Sequence, residues 1–557
     1  MTYLSAFVLI GVLVAIHEFG HFIVAKWCGV HCTVFSIGYG ARLFGFKWKG
    51  TDYRLSALPL GGYVRMAGTD IFGTGEASEA DEPLDFEQSF MYKPVWQRIL
   101  IVAAGPAFNL ILPLVVFTAL LMAGDPQPAP VVGIVNWGSP AQEAGLLPGD
   151  RIGSLNGREV NTWTNLLEEV DGLEPGTYPI QLDRDGTSLQ KEIRIEEEKR
   201  LGVSFWRPNA EIGVDDPKSP AGKAGLTTGD VVTHIDGKEV LDFVDLQRAL
   251  KGKSRVEVQY IRESANASVS MAIDPFWQPQ APYQVVGLDK RWGMLPSTQF
   301  VDDVSDTVEE QGIFNCGSAP LPPSPAMVEG ILPGDRFIRI ENQEIHAWGD
   351  IPAAVKSSME GEGKEATTTS LHITLIRSGE KMELDVTPRM IQDTDSFGNY
   401  RYRPILGIRR GGDFEDGPST RIYYPFSSAF SLSFDLTKDI SKFIVVQIGK
   451  LITGEAAVEK SLGGPVEIVR QAKKAAEKGL FEWARLMALM SISLGIINLV
   501  PIPILDGGQL LFFIIEGVRG RPVSPRMREY AMQAGVIFMV LLMFFVFVFD
   551  ISRWLGS

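Results

Sequence analysis

Cysteine is nearly missing from this chain: there are three in 557 residues, Cys28, Cys32 and Cys316. An odd, scattered set excludes a disulfide framework. Cys28 and Cys32 could form half a metal site, but no second pair completes it, so they read as small apolar side chains. No long basic run occurs and the formal net charge is −15, which argues against nucleic acid as a partner. No Lys or Arg precedes the first apolar stretch, and no small-residue cleavage site follows it. A cleaved signal peptide is therefore the poorer reading of the N-terminus. There is no Gly-x-Ser-x-Gly elbow, so a serine protease is not indicated.

What is present is apolar sequence concentrated at the two ends. Hydrophobic residues make up 45% and charged residues 21%, an ordinary average that hides this division. Four stretches approach the ~20 residues that a spanning helix needs: about Leu4 to Val24, Ile99 to Gly124, Leu486 to Leu505 and Ala531 to Phe549. Lys26, Arg42, Lys47, Lys49, Arg54 and Arg65 follow the first, Lys93 and Arg98 precede the second, and Arg519, Arg521, Arg526 and Arg528 lie between the last two. By the positive-inside rule both loops are expected on the cytoplasmic side, with the termini and the long segment from about Gln127 to Trp483 on the other. The stretch from Thr437 to Glu482 is expected to form amphipathic helices near the outer membrane surface.

The long middle segment repeats itself. "SPAQEAGLLPGD" (Ser139 to Asp150), "SPAGKAGLTTGD" (Ser219 to Asp230) and "SPAMVEGILPGD" (Ser324 to Asp335) share one pattern. Each predicts a short helix, a glycine turn and then strands. Asn156-Gly157 and Asp236-Gly237 are good hairpin turns. The third copy has Asn342-Gln343 there, and Glu329 and Ile331 replace the alanine and leucine of the other two.

The first apolar stretch contains "HEFGH". Histidines at i and i+4 lie on one helix face, and neutral imidazoles so placed suit zinc, with Glu18 beside them as a base. An ionisable group in hydrocarbon costs roughly 2.5–3.5 kcal/mol even on the lenient insertion scale, so His17, Glu18 and His21 read as functional. A catalytic zinc wants three protein ligands and an open fourth position. His234, His346 and His372 fall in the repeats, and the remaining candidates are His31, Glu516, Asp550 and Asp506. Depth favours Asp506. His17 lies roughly 20 Å into one inward-running helix and Asp506 at most roughly 30 Å into another, a figure that Pro501 and Pro503 shorten by breaking the helix. The blander reading of Asp506-Gly507-Gly508 is a helix-ending turn. Asn498, in the same stretch, has an interhelical hydrogen bond as its plain alternative. Tyr53 to Gly68 looks like a hairpin dipping towards the site, against a cytoplasmic hairpin packed on the helices. The acidic run from Glu76 to Glu87 reads as a solvated loop.

"HEFGH", "NLVPIPILDGG" (Asn498 to Gly508), "GGYVRMAG" (Gly61 to Gly68), "KPVWQR" (Lys93 to Arg98) and "GPAFN" (Gly105 to Asn109) resemble the site-2 protease family of intramembrane zinc metalloproteases, in its regulator-of-sigma-E-protease type. The repeats resemble PDZ domains in their bacterial arrangement. The third repeat departs from familiar members, which have two. The resemblance implies a polytopic α-helical membrane protein of four transmembrane helices with inserted α+β PDZ-like domains. The expected layout is 1–126 membrane core with a cytoplasmic hairpin, 127–205, 206–285 and 286–412 PDZ-like, 413–485 periplasmic amphipathic helices, and 486–557 membrane core. It implies zinc on His17, His21 and Asp506, Glu18 as the catalytic base, and a substrate contact from Asn498, while the hairpin edge at Gly61, Gly62 and Tyr63 could pair with an extended substrate. It also implies a bacterial inner-membrane location with periplasmic repeats and a site near the cytoplasmic side. The expected substrates are single-span proteins such as an anti-sigma factor, and signal-peptide remnants, after a first cut by another protease. The repeats then filter or bind substrate, and membrane lipid is a further partner. Two other readings remain: an inactive PDZ scaffold, against which an intact Glu18 argues, and a metal transporter, which would spread its polar groups along several helices.

Overall fold

The structure is a computed structural model and describes residues 2–68, 86–197, 199–281, 283–307, 322–361, 363–394, 399–455 and 463–555. Most of the acidic run and Cys316 lie outside them. The chain divides into two compact units, one of residues 1–125, 394–399 and 423–557, the other of 126–393 and 400–422.

In the first unit, α1 (Thr2–Trp27) is apolar almost throughout and stops just before Gly29, which takes a φ of +70°. A long bent hairpin follows, β1 (Cys32–Trp48) and β2 (Thr51–Met66). Residues 34–37 pair both with 62–65 and with 52–55, so the two strands fold back on themselves. The hairpin thus begins at Cys32, well before the expected Tyr53, because β1 supplies the partner that residues 62–66 need. Cys32 is fully buried here, and burial pushes its thiol up to about 11, as suits a structural cysteine.

α2 (Val95–Gly124) starts directly after Pro94 and keeps Pro106 and Pro113 inside it. α3 (Phe426–Thr453), α4 (Pro465–Lys478), α5 (Leu480–Leu499), α6 (Asp506–Arg519) and α7 (Pro525–Leu555) complete the unit. Among the described residues four helices are long and apolar enough to cross a membrane: Ser5–Trp27, Val95–Gly124, Leu480–Leu499 and Pro525–Val548. The third expected stretch is corrected in one respect. Its helix ends at Leu499, since the residue before a proline leaves the α region, and Val500 sits at ψ 137°. Asp506 therefore opens a new helix instead of ending the old one.

Among the described residues, the stretch from Thr437 to Glu482 falls in α3, α4 and the start of α5. α3 packs lengthwise on α2 and α5. Ile440, Ile444 and Ile448, spaced one turn apart, meet a cluster of Phe117, Ala488, Ile492 and Ile496, and the Thr118 hydroxyl donates to Ser433 at 3.0 Å. α4 buries Ala472 against Ala6, Leu9 and Leu13 of α1. Each helix turns an apolar stripe at helical spacing towards its neighbours.

The second unit contains three modules of one plan. Each has a four-stranded sheet: Arg158–Glu159, Arg151–Leu155, Gly176–Arg184 and Thr187–Ile195 in the first, with matching orders in the other two. The serines of the repeated motif cap short helices, Ser139, Ser219 and Ser324 each accepting from the backbone N–H three residues on, with proline at the first helical position. The motif's final aspartates, Asp150, Asp230 and Asp335, are buried. Each accepts a forked pair of bonds from an arginine at the end of a later strand: Arg184, Arg262 and Arg377. These carboxylates raise all three guanidinium groups above the usual arginine range.

The third turn is centred on Glu341 and Asn342, one residue earlier than expected. Glu341 holds φ +50° because its carboxylate accepts from the His372 backbone N–H at 2.6 Å, as Asp236 does from Glu257. The second module also runs beyond residue 285. Its core takes in Trp292 and Met294, and Leu295 pairs with Gly213.

Candidate metal centre

The centre is built by α1, α2 and the opening of α6. His17 and His21 face α2 from one side of α1. Their Nε2 atoms are 3.2 Å apart, and Asp506 Oδ2 lies 3.1 Å from the first and 3.5 Å from the second. Both histidines are buried, at 9% exposure. Among the described residues this is the group of three His, Cys, Asp or Glu that could hold a metal.

Close packing requires glycine around it. A Cβ on Gly105 of α2 would fall 2.2 Å from His21 Nε2 and 2.9 Å from His17 Cε1, and one on Gly20 would fall 2.4 Å from the Ala104 carbonyl oxygen. α1 and α2 thus meet backbone to backbone at the site. Gly507 and Gly508 play the same part for the loop after α5. A Cβ on either would lie 2.3 Å from the carbonyl oxygen of Val500 or Ile502. The loop can fold tightly over the start of α6 only because both are glycine, and this aims Asp506 at the histidines.

The tautomers suit a metal. His21 Nδ1 is 2.8 Å from the Ile101 carbonyl oxygen, so Nδ1 carries the proton and Nε2 keeps its lone pair. His17 Nδ1 is 3.1 Å from the amide of Asn109, a fully buried residue of α2. Asn109 Oδ1 has no hydrogen-bond partner among the described residues. Turning the amide over therefore sacrifices no bond at Oδ1, and lets it accept from His17 Nδ1–H while Nε2 faces Asp506. Two imidazole nitrogens, each ring oriented from behind, and one carboxylate oxygen fit zinc with a fourth position open.

Glu18 is the neighbour of His17 on α1. The β2 backbone passes beside it: a Cβ on Gly62 would lie 3.1 Å from Glu18 Cγ. Gly61 takes φ +130° against the Tyr39 ring, and Tyr39 stacks on Tyr63 at 5.8 Å between centroids. Asn498 lies half-buried in the last turns of α5, with no hydrogen-bond partner among the described residues.

The other candidate ligands are elsewhere. Glu516 is paired with Arg98 through both oxygens, at 2.7 and 3.2 Å. His31 packs against Gly50 at the hairpin tip. His234, His346 and His372 belong to the second unit. Asp550 lies in α7, and its side chain is not described.

The pattern of peptidase family M50 matches residues 5–542. The chain belongs to peptidase family M50. Related proteins match end to end. The Regulator of sigma-E protease RseP of Escherichia coli is 29% identical, covering 99% of this chain and 98% of its own. Protease RseP of Yersinia pestis is 29% identical over the same shares. A Neisseria meningitidis protein whose name provisionally assigns it zinc metalloprotease activity is 29% identical over all of both chains. Within this M50 chain, Asn109 is the residue that sequence reasoning passed over. It ends "GPAFN", a motif recognised as a block, but only the fold brings it behind His17. The arginine partners of the three repeat aspartates were missed in the same way.

Proposed function

We propose that this chain is an intramembrane zinc metalloprotease that cuts single-span proteins within or near their membrane segment. The observation that carries the reading is the convergence of His17, His21 and Asp506, from two distant parts of the sequence, beside Glu18. His17, His21 and Asp506 hold the metal, and bound zinc supplies Lewis acidity for the scissile carbonyl and makes the attacking water acidic. Glu18 takes the proton from that water and returns it to the leaving amine, a role usually contributing roughly 10²–10⁴-fold. Asn109 and the Ile101 carbonyl keep both imidazoles in the ligating tautomer.

A helical substrate hides its peptide bonds, so it must be presented extended. The 62–66 segment pairs with β1 along one edge, and among the described residues no strand pairs along the other. An extended substrate adding to that edge at Gly61, Gly62 and Tyr63 would pass beside Glu18. The free amide of Asn498, on the helix that leads into the Asp506 loop, is placed to hold a substrate carbonyl.

The positive loops support a metal centre towards the cytoplasmic face of a bacterial inner membrane and PDZ-like modules on the periplasmic side. The names of the relatives support a substrate in sigma-E signalling, an anti-sigma factor trimmed by a first protease, with signal-peptide remnants as a second class. The modules act as a steric filter, which needs only bulk. An inactive scaffold would have no use for Glu18 or for the two oriented imidazoles.

The test is Glu18→Gln, assayed with a tagged single-span substrate by immunoblot and with zinc content by elemental analysis. The variant should stay folded and zinc-loaded and leave the substrate uncut. Near-normal cleavage would remove the metalloprotease reading.

A further inference from the structure

The first third of α7 carries a cavity of about 910 Å³ that the metal chemistry does not use. Met532, Val536 and Ile537 make its apolar wall, and Arg528, Glu529 and Gln533 its polar rim. Arg528 lies over the rings of Phe512 and Phe513 at 5.7 and 5.8 Å, and its Nε is buried with no hydrogen-bond partner among the described residues. Glu516, near the end of α6, is already taken by Arg98. Glu529 has only a long contact to Gln533, 3.5 Å. Among the described residues the rim thus offers one cation with no side-chain hydrogen bond or ion pair, and one nearly free anion, above an apolar wall. That wall continues into the exposed apolar side chains of α7, Val540, Leu541 and Phe544.

This pattern matches a molecule with a phosphate, a primary ammonium and an acyl chain. We propose that the cavity binds one aminophospholipid, its phosphate on Arg528, its ammonium on Glu529, and an acyl chain along Val536, Ile537 and Val540. Charge complementarity selects it. A purely anionic headgroup would meet Glu529, and a quaternary ammonium has no N–H to donate to it. The site rests on α7 crossing the membrane, not on the proteolytic reading. Gly535, beside Val536, packs on the loop that leads to Asp506: a Cβ there would lie 3.3 Å from Ile504 N and 3.4 Å from Pro503 Cβ. A lipid that seats α7 would therefore also bear on that loop.

The experiment is native mass spectrometry of the full-length protein in detergent with dioleoyl-phosphatidylethanolamine, -phosphatidylglycerol or -phosphatidylcholine. The wild type should retain the ethanolamine lipid best. Arg528→Gln should weaken that retention roughly tenfold or more, the loss of one charge-assisted hydrogen bond. Glu529→Gln should erase the preference for ethanolamine over glycerol while keeping lipid bound. Met532→Trp, which fills the cavity, should lose all three. Zinc content and thermal midpoint check the fold, and Arg528→Lys, which keeps the charge, should retain binding if Arg528→Gln proves unstable. Equal retention of the three lipids by the wild type would overturn the proposal. So would Arg528→Gln or Arg528→Lys behaving against these expectations in folded protein. Glycerophosphoethanolamine without chains should compete poorly, and equal competition would mean a soluble ligand. Displacement of lipid by a single-span substrate peptide in an Arg528-dependent way would assign the cavity to substrate instead. Each of these failures leaves the Glu18 test untouched.

Discussion

Replacing Gly105 with alanine tests the metal centre by geometry alone. The new methyl would stand 2.2 Å from His21 Nε2 and 2.5 Å from Cε1, where ordinary contact begins at 3.4 Å. His21 or the helix must therefore yield by about 1.2 Å, several times the ~0.2 Å tolerance of a zinc–ligand distance. Retreat along the helix axis is blocked because Nδ1 is tied to the Ile101 carbonyl oxygen, and α1 cannot rotate freely while Gly20 sits against Ala104. Loss of an orienting partner alone costs about 10–100-fold in metal affinity, so displacing a ligand should cost more than ~100-fold. Alanine is the best helix former, so α2 itself is not weakened, and overpacking should cost only ~1–3 kcal/mol. The assay is zinc content after dialysis against a graded chelator series, beside thermal unfolding and substrate immunoblots. Gly11→Ala is the control, since its Cβ would meet nothing within 4 Å. It should bind and cut as wild type. Stoichiometric zinc and full cleavage in Gly105→Ala would show that the metal is not held between α1 and α2 in this way.

Asn109→Leu should lower zinc affinity by about 10–100-fold with little change in thermal midpoint, whereas Asn109→Asp, which keeps an acceptor for His17 Nδ1–H, should restore much of it. Chelator competition separates the two. Arg98→Ala or Glu516→Ala leaves a buried charge unpaired and should destabilise the helical unit by roughly 3–5 kcal/mol, while the double change Arg98→Met/Glu516→Leu should recover most of the loss in a thermal or denaturant assay. Asp335→Ala should loosen the third four-stranded module by about 3 kcal/mol, towards the low end for a broken pair because Arg377 keeps 25% of its side chain exposed. Hydrogen exchange would localise that effect to 324–377.

Much of this protein is legible without a structure. Hydropathy marks the four candidate spans because a helix in lipid must satisfy its own backbone and show apolar side chains for about 20 residues. The i, i+4 spacing of His17 and His21 puts them on one face before any fold is known. The repeated motif announces its caps and turns because serine before proline and Asn-Gly act locally, within a few residues. Asp506 could be ranked first among the candidates by depth and by the prolines, but helical rise does not specify its partners.

Tertiary structure alone decided what depends on distant parts of the chain. It made Asp506 the first residue of α6, aimed at α1 by a loop that only Gly507 and Gly508 permit. It also set Asn109 behind His17, took Glu516 out of contention by pairing it with Arg98, and joined each repeat aspartate to an arginine on a later strand. It packed α3 on α2 and α5 and α4 on α1, through the apolar stripe that each helix carries. Local sequence sets the conformation of a segment, but which buried donor meets which acceptor is a property of packing, and packing is settled only when all the helices compete for the same space.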